Sequence, residues 1–257
     1  MGDIVLENKK NAVILAAGKS NRFAPFTYEK PKGLLSVKGN ILIERQIKYL
    51  HETGVSDICV IVGYMKEKFY YLEQKYGVKI VVNNDFTSKG NLYSLYKVKD
   101  YLDNTYICYA DNYCEENISL QAQDTDNQSY QTTVHVPGTF REFYVRTSDA
   151  DVITEVEMGG NDTDIMRGFA YFNSGFSQKF RELLETEIND FGTANMFWEE
   201  FYAKNITDLP LFAKKIYDNT VYEFDSIDDL RKFDNDFFFN VNSTNHKYKI
   251  FCARETE

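Results

Sequence analysis

The chain has 257 residues, 43% of them hydrophobic and 16% aromatic, and a formal net charge of −10. That length and apolar content suit one large α/β domain, or a domain with a small lid, and exclude a chain disordered throughout. Acidity without any basic block excludes general binding to nucleic acid or to anionic membranes.

No apolar run reaches the length of a membrane span, and the first residues do not follow a signal-peptide pattern. Cys59, Cys108, Cys114 and Cys252 form no C-x-x-C pair and have no histidine at ligand spacing. Reduced thiols and a cytoplasmic location are expected.

Residues 1–10 read as a loose leader. Ala12 to Ala17 is short, continuous and apolar, the pattern of a buried strand. It breaks at Gly18 into polar Lys19, Ser20 and Asn21. A loop leaving a central strand at Leu15, Ala16, Ala17 and Gly18 exposes backbone N–H groups that can approach phosphate oxygens. Arg22 and Lys32 add the positive charge such a site needs. The spacing fits neither G-x-G-x-x-G nor G-x-x-x-x-G-K-[ST].

Ile43, Ile47 and Leu50 recur at helical spacing, with Gly54 placed to stop the helix. Residues 57–62 predict a second buried strand ending at Gly63 and Tyr64. Residues 66–76 predict a helix with Phe69, Leu72 and Tyr76 on one face, and 78–82 a third strand followed by Asn83. Strand and helix alternating at this spacing mean right-handed crossovers and a mostly parallel sheet. Ligands bind beyond the carboxyl ends of such strands, which puts Gly18, Tyr64 and Asn83 on one rim.

Gly90 opens a helix whose apolar members are Leu92, Leu95 and Leu102. Asn91 and Ser94 fall in its first turn, where such residues either contact a ligand or cap the helix. Residues 105–110 predict a fourth strand delivering Asp111 and Asn112, and an acid there either holds a cation or starts a turn. Residues 121–130 read as a polar surface loop. From 131 to 172 the pattern turns to alternation (Val134, Val136, Phe143, Val145), with a turn expected at 159–162 and an antiparallel lid over the rim.

Residues 174–188 predict an amphipathic helix, and 193–204 another that carries Phe197, Trp198 and Glu199. Residues 220–225 read as a strand, on which alternation puts Glu223 and Asp225 on the same side. That pair is either solvated or bound to a cation. Ser226 and Asp229 form a capping box before a last helix. Residues 236–257 lose periodicity and read as a docked tail or a linker to another domain.

Leu15, Ala16, Ala17 and Gly18, with Arg22, Pro31 and Lys32, resemble the signature of nucleotidyltransferases that activate phosphorylated small molecules with an NTP. Where that family carries a second glycine, this chain has Ser20. Over most of its length the chain resembles the bacterial CTP:phosphocholine cytidylyltransferases. That likeness rests on residues 62–64, 91–95, 110–112, 197–199 and 223–225.

The resemblance implies a Rossmann-like nucleotidyltransferase fold over residues 11–235, with a mostly parallel central sheet and a small antiparallel lid at about 131–172. It implies CTP and phosphocholine, or a similar amino-alcohol phosphate, as partners, and Mg²⁺ as cofactor. It puts nucleotide contacts at Leu15, Ala16, Ala17, Gly18, Tyr64, Asn83, Asn91, Ser94 and Ala110. Arg22 would meet the triphosphate and Lys32 the α-phosphate, with Asp111, Glu223 and Asp225 as metal ligands.

Choline's trimethylammonium cannot donate a hydrogen bond, so aromatic faces and a carboxylate must recognise it. The candidates are Asn112, Phe143, Tyr144, Phe197, Trp198 and Glu199, with Trp198 foremost because Glu199 and Glu200 adjoin it. A phosphomonoester, with a second pKa of about 6, is already a dianion at neutral pH and needs no general base. His51, His135 and His246 accordingly receive no role. The alternatives are a cytidylyltransferase for 2-aminoethylphosphonate or phosphoethanolamine, a sugar-1-phosphate nucleotidyltransferase, and a nucleotide-binding regulator without catalysis.

Overall fold

The first apolar run forms β1 (Asn11–Ala16), and in the computed structural model it lies inside a seven-stranded sheet. The structure describes residues 9–117, 128–217, 220–224, 226–235 and 237. The expected leader, the loop at 121–130 and the tail therefore fall largely or wholly outside the described residues.

After β1 come three short 3-10 turns and a small antiparallel hairpin, β2 (Ser36–Val37) with β3 (Asn40–Ile41). Helix α1 (Leu42–Glu52) buries Ile43, Ile47 and Leu50, and Gly54 adopts φ +82° beyond its end. β4 (Asp57–Val62) pairs in parallel with β1. The stretch expected as one helix is instead a 3-10 turn, Lys66–Lys68, followed by the shorter α2 (Tyr71–Tyr76). Phe69 and Leu72 are buried there as the spacing predicts.

β5 (Lys79–Val82) extends the sheet beside β4, α3 (Asn91–Lys97) crosses back, and β6 (Thr105–Tyr109) pairs in parallel with β1 on its other side. β7 (Asn112–Cys114) leaves the sheet. Two long strands follow, β8 (Tyr130–Thr147) and β9 (Ile153–Phe172). Then come α4 (Ser174–Glu187), the one-turn α5 (Phe191–Ala194), α6 (Trp198–Lys204), β10 (Phe212–Lys215), β11 (Val221–Glu223) and α7 (Ile227–Phe233). The sheet order is β10-β8-β9-β6-β1-β4-β5, with β9 antiparallel to β6 and to β8. Among the described residues no helix is long and apolar enough to cross a membrane.

The antiparallel pair reverses at Ser148–Val152 and not at the expected 159–162. Gly159 (φ +87°) and Asp162 (φ +46°) lie inside β9, among register shifts where the ribbon bends. Glycine and a left-handed aspartate serve a β-bulge as readily as a turn, so composition pointed to the wrong one of the two. Through β6 the ribbon is continuous with the central sheet.

Alternation along β1 divides the core. Ala12 and Ile14 face α1 and α2, while Val13 and Leu15 face the layer holding Leu92, Phe180, Trp198 and Phe201. A third cluster joins Phe23, Val37, Leu42, Tyr113, Phe224 and Leu230, and Phe237 packs edge-on against Phe26 at 5.5 Å.

The helix expected over 193–204 is interrupted at 195–197, where the carbonyls of Ala194 and Met196 bond the start of α3. Gly90 N–H donates to the Ala194 carbonyl at 3.1 Å, and Leu92 N–H to that of Met196 at 3.3 Å. A Cβ at Gly90 would sit 1.9 Å from the Met196 carbonyl oxygen and 2.5 Å from that of Asn195. Both obstacles are backbone. Gly90→Ala is expected to destabilise the protein by about 1–3 kcal/mol. A thermal midpoint within a degree of wild type would contradict that.

Candidate active site

The carboxyl ends of β1 and β6 and the segment that follows β5 line a cleft of about 640 Å³. Its near wall is the end of β1 and the loop after it, with Leu15, Ala16, Ala17, Gly18 and Ser20. Two backbone bonds fix that loop, from Tyr64 N–H to the Ala17 carbonyl and from Ala110 N–H to the Leu15 carbonyl, each 3.0 Å. Ser20, standing where the related signature has glycine, takes the left-handed conformation at φ 50°, ψ 53°. The turn that glycine favours is thus made by serine, at a conformational cost of about 1–2 kcal/mol.

Lys32 comes from the 3-10 turn Lys32–Leu34 and is buried beside the Phe23 ring, 4.7 Å from its centroid. The next residue is a glycine for a steric reason, since a Cβ on Gly33 would lie 2.8 Å from Ala110 Cβ. That close approach brings Lys32 to Asp111, and its Nζ donates to Asp111 Oδ2 at 2.9 Å. Antiparallel pairing of β11 with β7 sets Glu223 opposite Asn112, next to Asp111. Glu223 is open to the cleft yet surrounded by protein. Burial and the charge of Asp111 hold its carboxyl above the usual range, against the pull of Lys32.

Lys32, Asp111 and Glu223 therefore converge on one wall, as the sequence predicts. Asp225 lies outside the described residues. Among the described residues no cluster of three or more His, Cys, Asp or Glu side chains could hold a metal. Two neighbouring carboxylates on the cleft still fit a hard cation, because Mg²⁺ takes one or two protein carboxylates and completes its shell with phosphate and water. The donor set is all oxygen, which matches.

The opposite wall is built by Asn83, Asn91 and Ser94, all expected, together with residues 86–90 and Asn195. Asn83 Nδ2 donates to Ser94 Oγ at 3.0 Å, and Asn83 Oδ1 accepts from Asp85 N–H at 3.0 Å. Asn91 does not cap its own helix. Its Oδ1 accepts from Trp198 N–H at 2.7 Å, tying α3 to the start of α6. Ala110 lines the cleft as well.

Several expected site residues do not line this cleft. Arg22 is exposed on the 3-10 turn Asn21–Phe23, and Tyr64 bonds the Thr27 carbonyl through its hydroxyl at 2.7 Å; neither lines the cleft. Asn112 is buried, its Nδ2 donating to the Gly168 carbonyl at 2.8 Å, so its amide holds β9 and does not face the cleft. Tyr144 is buried with its hydroxyl on Glu157 at 2.7 Å.

Trp198 is only 1% exposed, packed edge-on against Phe172 at 5.5 Å. Flanking acids suggested a cation-binding face, but the helix turns that ring into the core. Of the expected aromatics, Phe197, 49% exposed, lines the cleft, with Phe143 against it at 6.2 Å.

Tyr109 was missed, and it connects these parts. It lines the cleft, and its hydroxyl accepts from Trp198 Nε1 at 2.7 Å and donates to Glu199. Its signal was positional: it is the last residue of β6, one before Ala110 and two before Asp111. Glu199 is 6% exposed, and burial pushes its carboxyl up to about 7 against the hydrogen bond from Tyr109. Lys89 also lines the cleft, its amine near the Phe191 ring. No periodicity marked it out.

Known proteins resemble the chain in sequence and in fold. The MobA-like NTP transferase domain matches residues 12–126. The chain is 34% identical over 224 residues to the choline-phosphate cytidylyltransferase of Streptococcus pneumoniae, covering 86% of this chain and 95% of that one. It is 32% identical to the 2-aminoethylphosphonate cytidylyltransferase of Lancefieldella rimae, covering 91% and 96%. The solved structure of the pneumococcal CTP:phosphocholine cytidylyltransferase superposes with a TM-score of 0.83 at 31% identity, over 88% of this chain and 98% of that one. The chain belongs to the nucleotidyltransferases with a MobA-like NTP transferase domain, in the group that includes these cytidylyltransferases.

Proposed function

We propose that the protein transfers CMP from CTP to phosphocholine, giving CDP-choline and pyrophosphate. The observation that carries the reading is the convergence of Lys32, Asp111 and Glu223 on one wall of a cleft in a chain that covers 95% of the pneumococcal relative. An acceptor phosphate oxygen attacks the α-phosphorus of CTP, a P–O bond forms, and the bond to the β-phosphate oxygen breaks as pyrophosphate leaves. Proton removal is not part of the step, because the acceptor is already a dianion near neutrality.

In this reading the backbone of Leu15 to Gly18 cradles the nucleotide, while Asn83, Asn91 and Ser94 wall in the base and ribose. Lys32 turns from Asp111 to the α-phosphate as negative charge spreads over it. Asp111 and Glu223 would hold Mg²⁺, whose bound charge neutralises phosphate oxygens. Phe197 with Phe143 offers an aromatic face to the acceptor's cationic head, and Tyr109 with Glu199 behind it supplies negative potential.

A second acceptor class has a specific warrant, since 2-aminoethylphosphonate is named in a relative matched over 91% of this chain. A primary ammonium would bond directly to a carboxylate, whereas a quaternary one uses aromatic faces. Phe197 is the exposed group at the rim and Glu199 is buried, an arrangement that favours the quaternary head. Pyrophosphate release from each of the four NTPs, assayed with phosphocholine, phosphoethanolamine, 2-aminoethylphosphonate and glucose-1-phosphate, tests this. The fastest turnover is expected with CTP and phosphocholine. Release with glucose-1-phosphate alone would overturn the reading.

A further inference from the structure

Phe86 is an aromatic residue that the core does not use. It follows β5, is half-buried and lines the cleft, yet it joins none of the three apolar clusters among the described residues. Its turn is fixed by two hydrogen bonds, from Asp85 N–H to Asn83 Oδ1 and from Ser88 N–H to the Asp85 carbonyl, each 3.0 Å. The ring lies against Gly63, where a Cβ would sit 2.7 Å from Phe86 Cγ and 2.8 Å from the Ala17 carbonyl oxygen. Only the missing side chain at position 63 lets an aromatic ring come so close to the end of β1.

The order of strands tells which part of a substrate reaches that ring. Phe143, which meets Phe197, lies on β8; Asp111 follows β6; Gly63 follows β4 and Phe86 follows β5. Across the sheet, read β8-β9-β6-β1-β4-β5, the aromatic rim, the carboxylate wall and Phe86 are therefore met in turn. From β6 to β4 and β5 is two to three strand spacings, roughly 10–14 Å. A nucleotide with its α-phosphate between Lys32 and Asp111 must send its ribose and base away from the acceptor, towards Phe86. Asn83 and Ser94, bonded to each other at 3.0 Å, border that end of the cleft with polar groups.

Resting on the cytidylyltransferase reading, we propose that Phe86 is the platform on which the nucleotide's pyrimidine stacks, held in place by Gly63. An aromatic face binds the face of any base and is indifferent to the base's edge. Phe86 then supplies affinity, and the polar edge formed by Asn83 and Ser94 supplies identity.

The test uses the full chain with Phe86→Ala, Phe86→Leu and Phe86→Tyr, varying CTP and phosphocholine separately, with inorganic tripolyphosphate as a competitor of CTP. Phe86→Ala should raise the KM for CTP about 10- to 30-fold, the scale of one base–aromatic stack, and leave the KM for phosphocholine within about twofold. Phe86→Leu keeps an apolar side chain without an aromatic face and should recover little, whereas Phe86→Tyr should stay within about threefold of wild type. Inhibition by tripolyphosphate, which has no base, should be the same in all the variants as in wild type. If Phe86→Ala does not fold, the contrast between Phe86→Leu and Phe86→Tyr carries the test. The platform is overturned if Phe86→Leu matches wild type, if the phosphocholine KM rises as much as that for CTP, or if tripolyphosphate inhibition weakens in step, which would make the ring a support for its loop. Wild type releasing no pyrophosphate from CTP with any acceptor would overturn the underlying reading and the platform with it; an active wild type with unresponsive variants overturns the platform alone.

Discussion

Replacing Lys32 by alanine is expected to lower turnover with CTP and phosphocholine by about 10²-fold or more, the scale for losing one preorganised charge at a transition state. The side chain is buried, fixed by Asp111 at 2.9 Å and packed on Phe23, so little reorganisation is needed when the α-phosphate arrives. Lys32→Arg should recover little, because a planar guanidinium is larger than the ammonium packed between Phe23 and Asp111 and cannot present a point charge. Removing the lysine also frees the Asp111 carboxylate and takes a positive charge away from the proposed metal site, so the variant should need less Mg²⁺ for half-maximal rate. Steady-state rates across a Mg²⁺ titration would measure both effects. Near-normal turnover at every Mg²⁺ concentration would remove Lys32 from the chemistry.

Glu199→Gln should make the protein more stable at alkaline pH and less able to use its acceptor. In the folded protein burial raises the Glu199 carboxyl from 4.5 to about 7. The direction follows from which state ionises first. Between those two values the unfolded chain has lost the proton while the folded one keeps it, so rising pH favours unfolding. The penalty is absent below about pH 4.5 and complete above about pH 7. At full size it comes to about 3 kcal/mol, taking 1.36 kcal/mol per pKa step.

Glutamine fills the same space without ionising. The thermal midpoint of Glu199→Gln minus that of wild type should therefore widen from pH 5 to pH 8 and then level off. Loss of the negative charge behind Tyr109 should meanwhile raise the phosphocholine KM roughly tenfold at pH 8, where Glu199 is ionised, and less at pH 6. A pH-independent difference in midpoint would contradict the buried ionisation. An unchanged KM would take Glu199 out of acceptor binding.

The parallel half of the fold could be read directly because its signals are local and redundant. β1, β4 and β6 are short apolar runs, and α1 shows both an apolar spacing and a glycine stop. Their shared strand-end rim then follows from handedness, and Lys32 and Asp111 converge there. The failures share a different cause. Gly159 and Asp162 have the composition of a turn, but the long antiparallel ribbon used them for bends. The interruption at 195–197 depends on Gly90, more than a hundred residues earlier, and no local pattern encodes that contact.

At the site, Trp198 and Tyr109 exchanged the parts expected of them. Flanking acids made the tryptophan look like a cation face, yet helix phase turns it inward and leaves Phe197 at the cleft. Tyr109 looked like an ordinary strand residue, and its role depends on hydrogen bonds from α6 that only the assembled fold supplies. Arg22 has the charge the site needs, and the turn begun by left-handed Ser20 leaves it exposed, outside the residues that line the cleft.

The central claim is a direct displacement at the α-phosphorus by the acceptor's own phosphate. Phosphocholine labelled with ¹⁸O on its phosphate, incubated with CTP and Mg²⁺ and followed by ³¹P NMR, tests it most directly. The account predicts an ¹⁸O-shifted signal at the bridging position of CDP-choline and unlabelled pyrophosphate. Label recovered in pyrophosphate, or a CDP-choline whose bridging oxygen came from CTP, would contradict it.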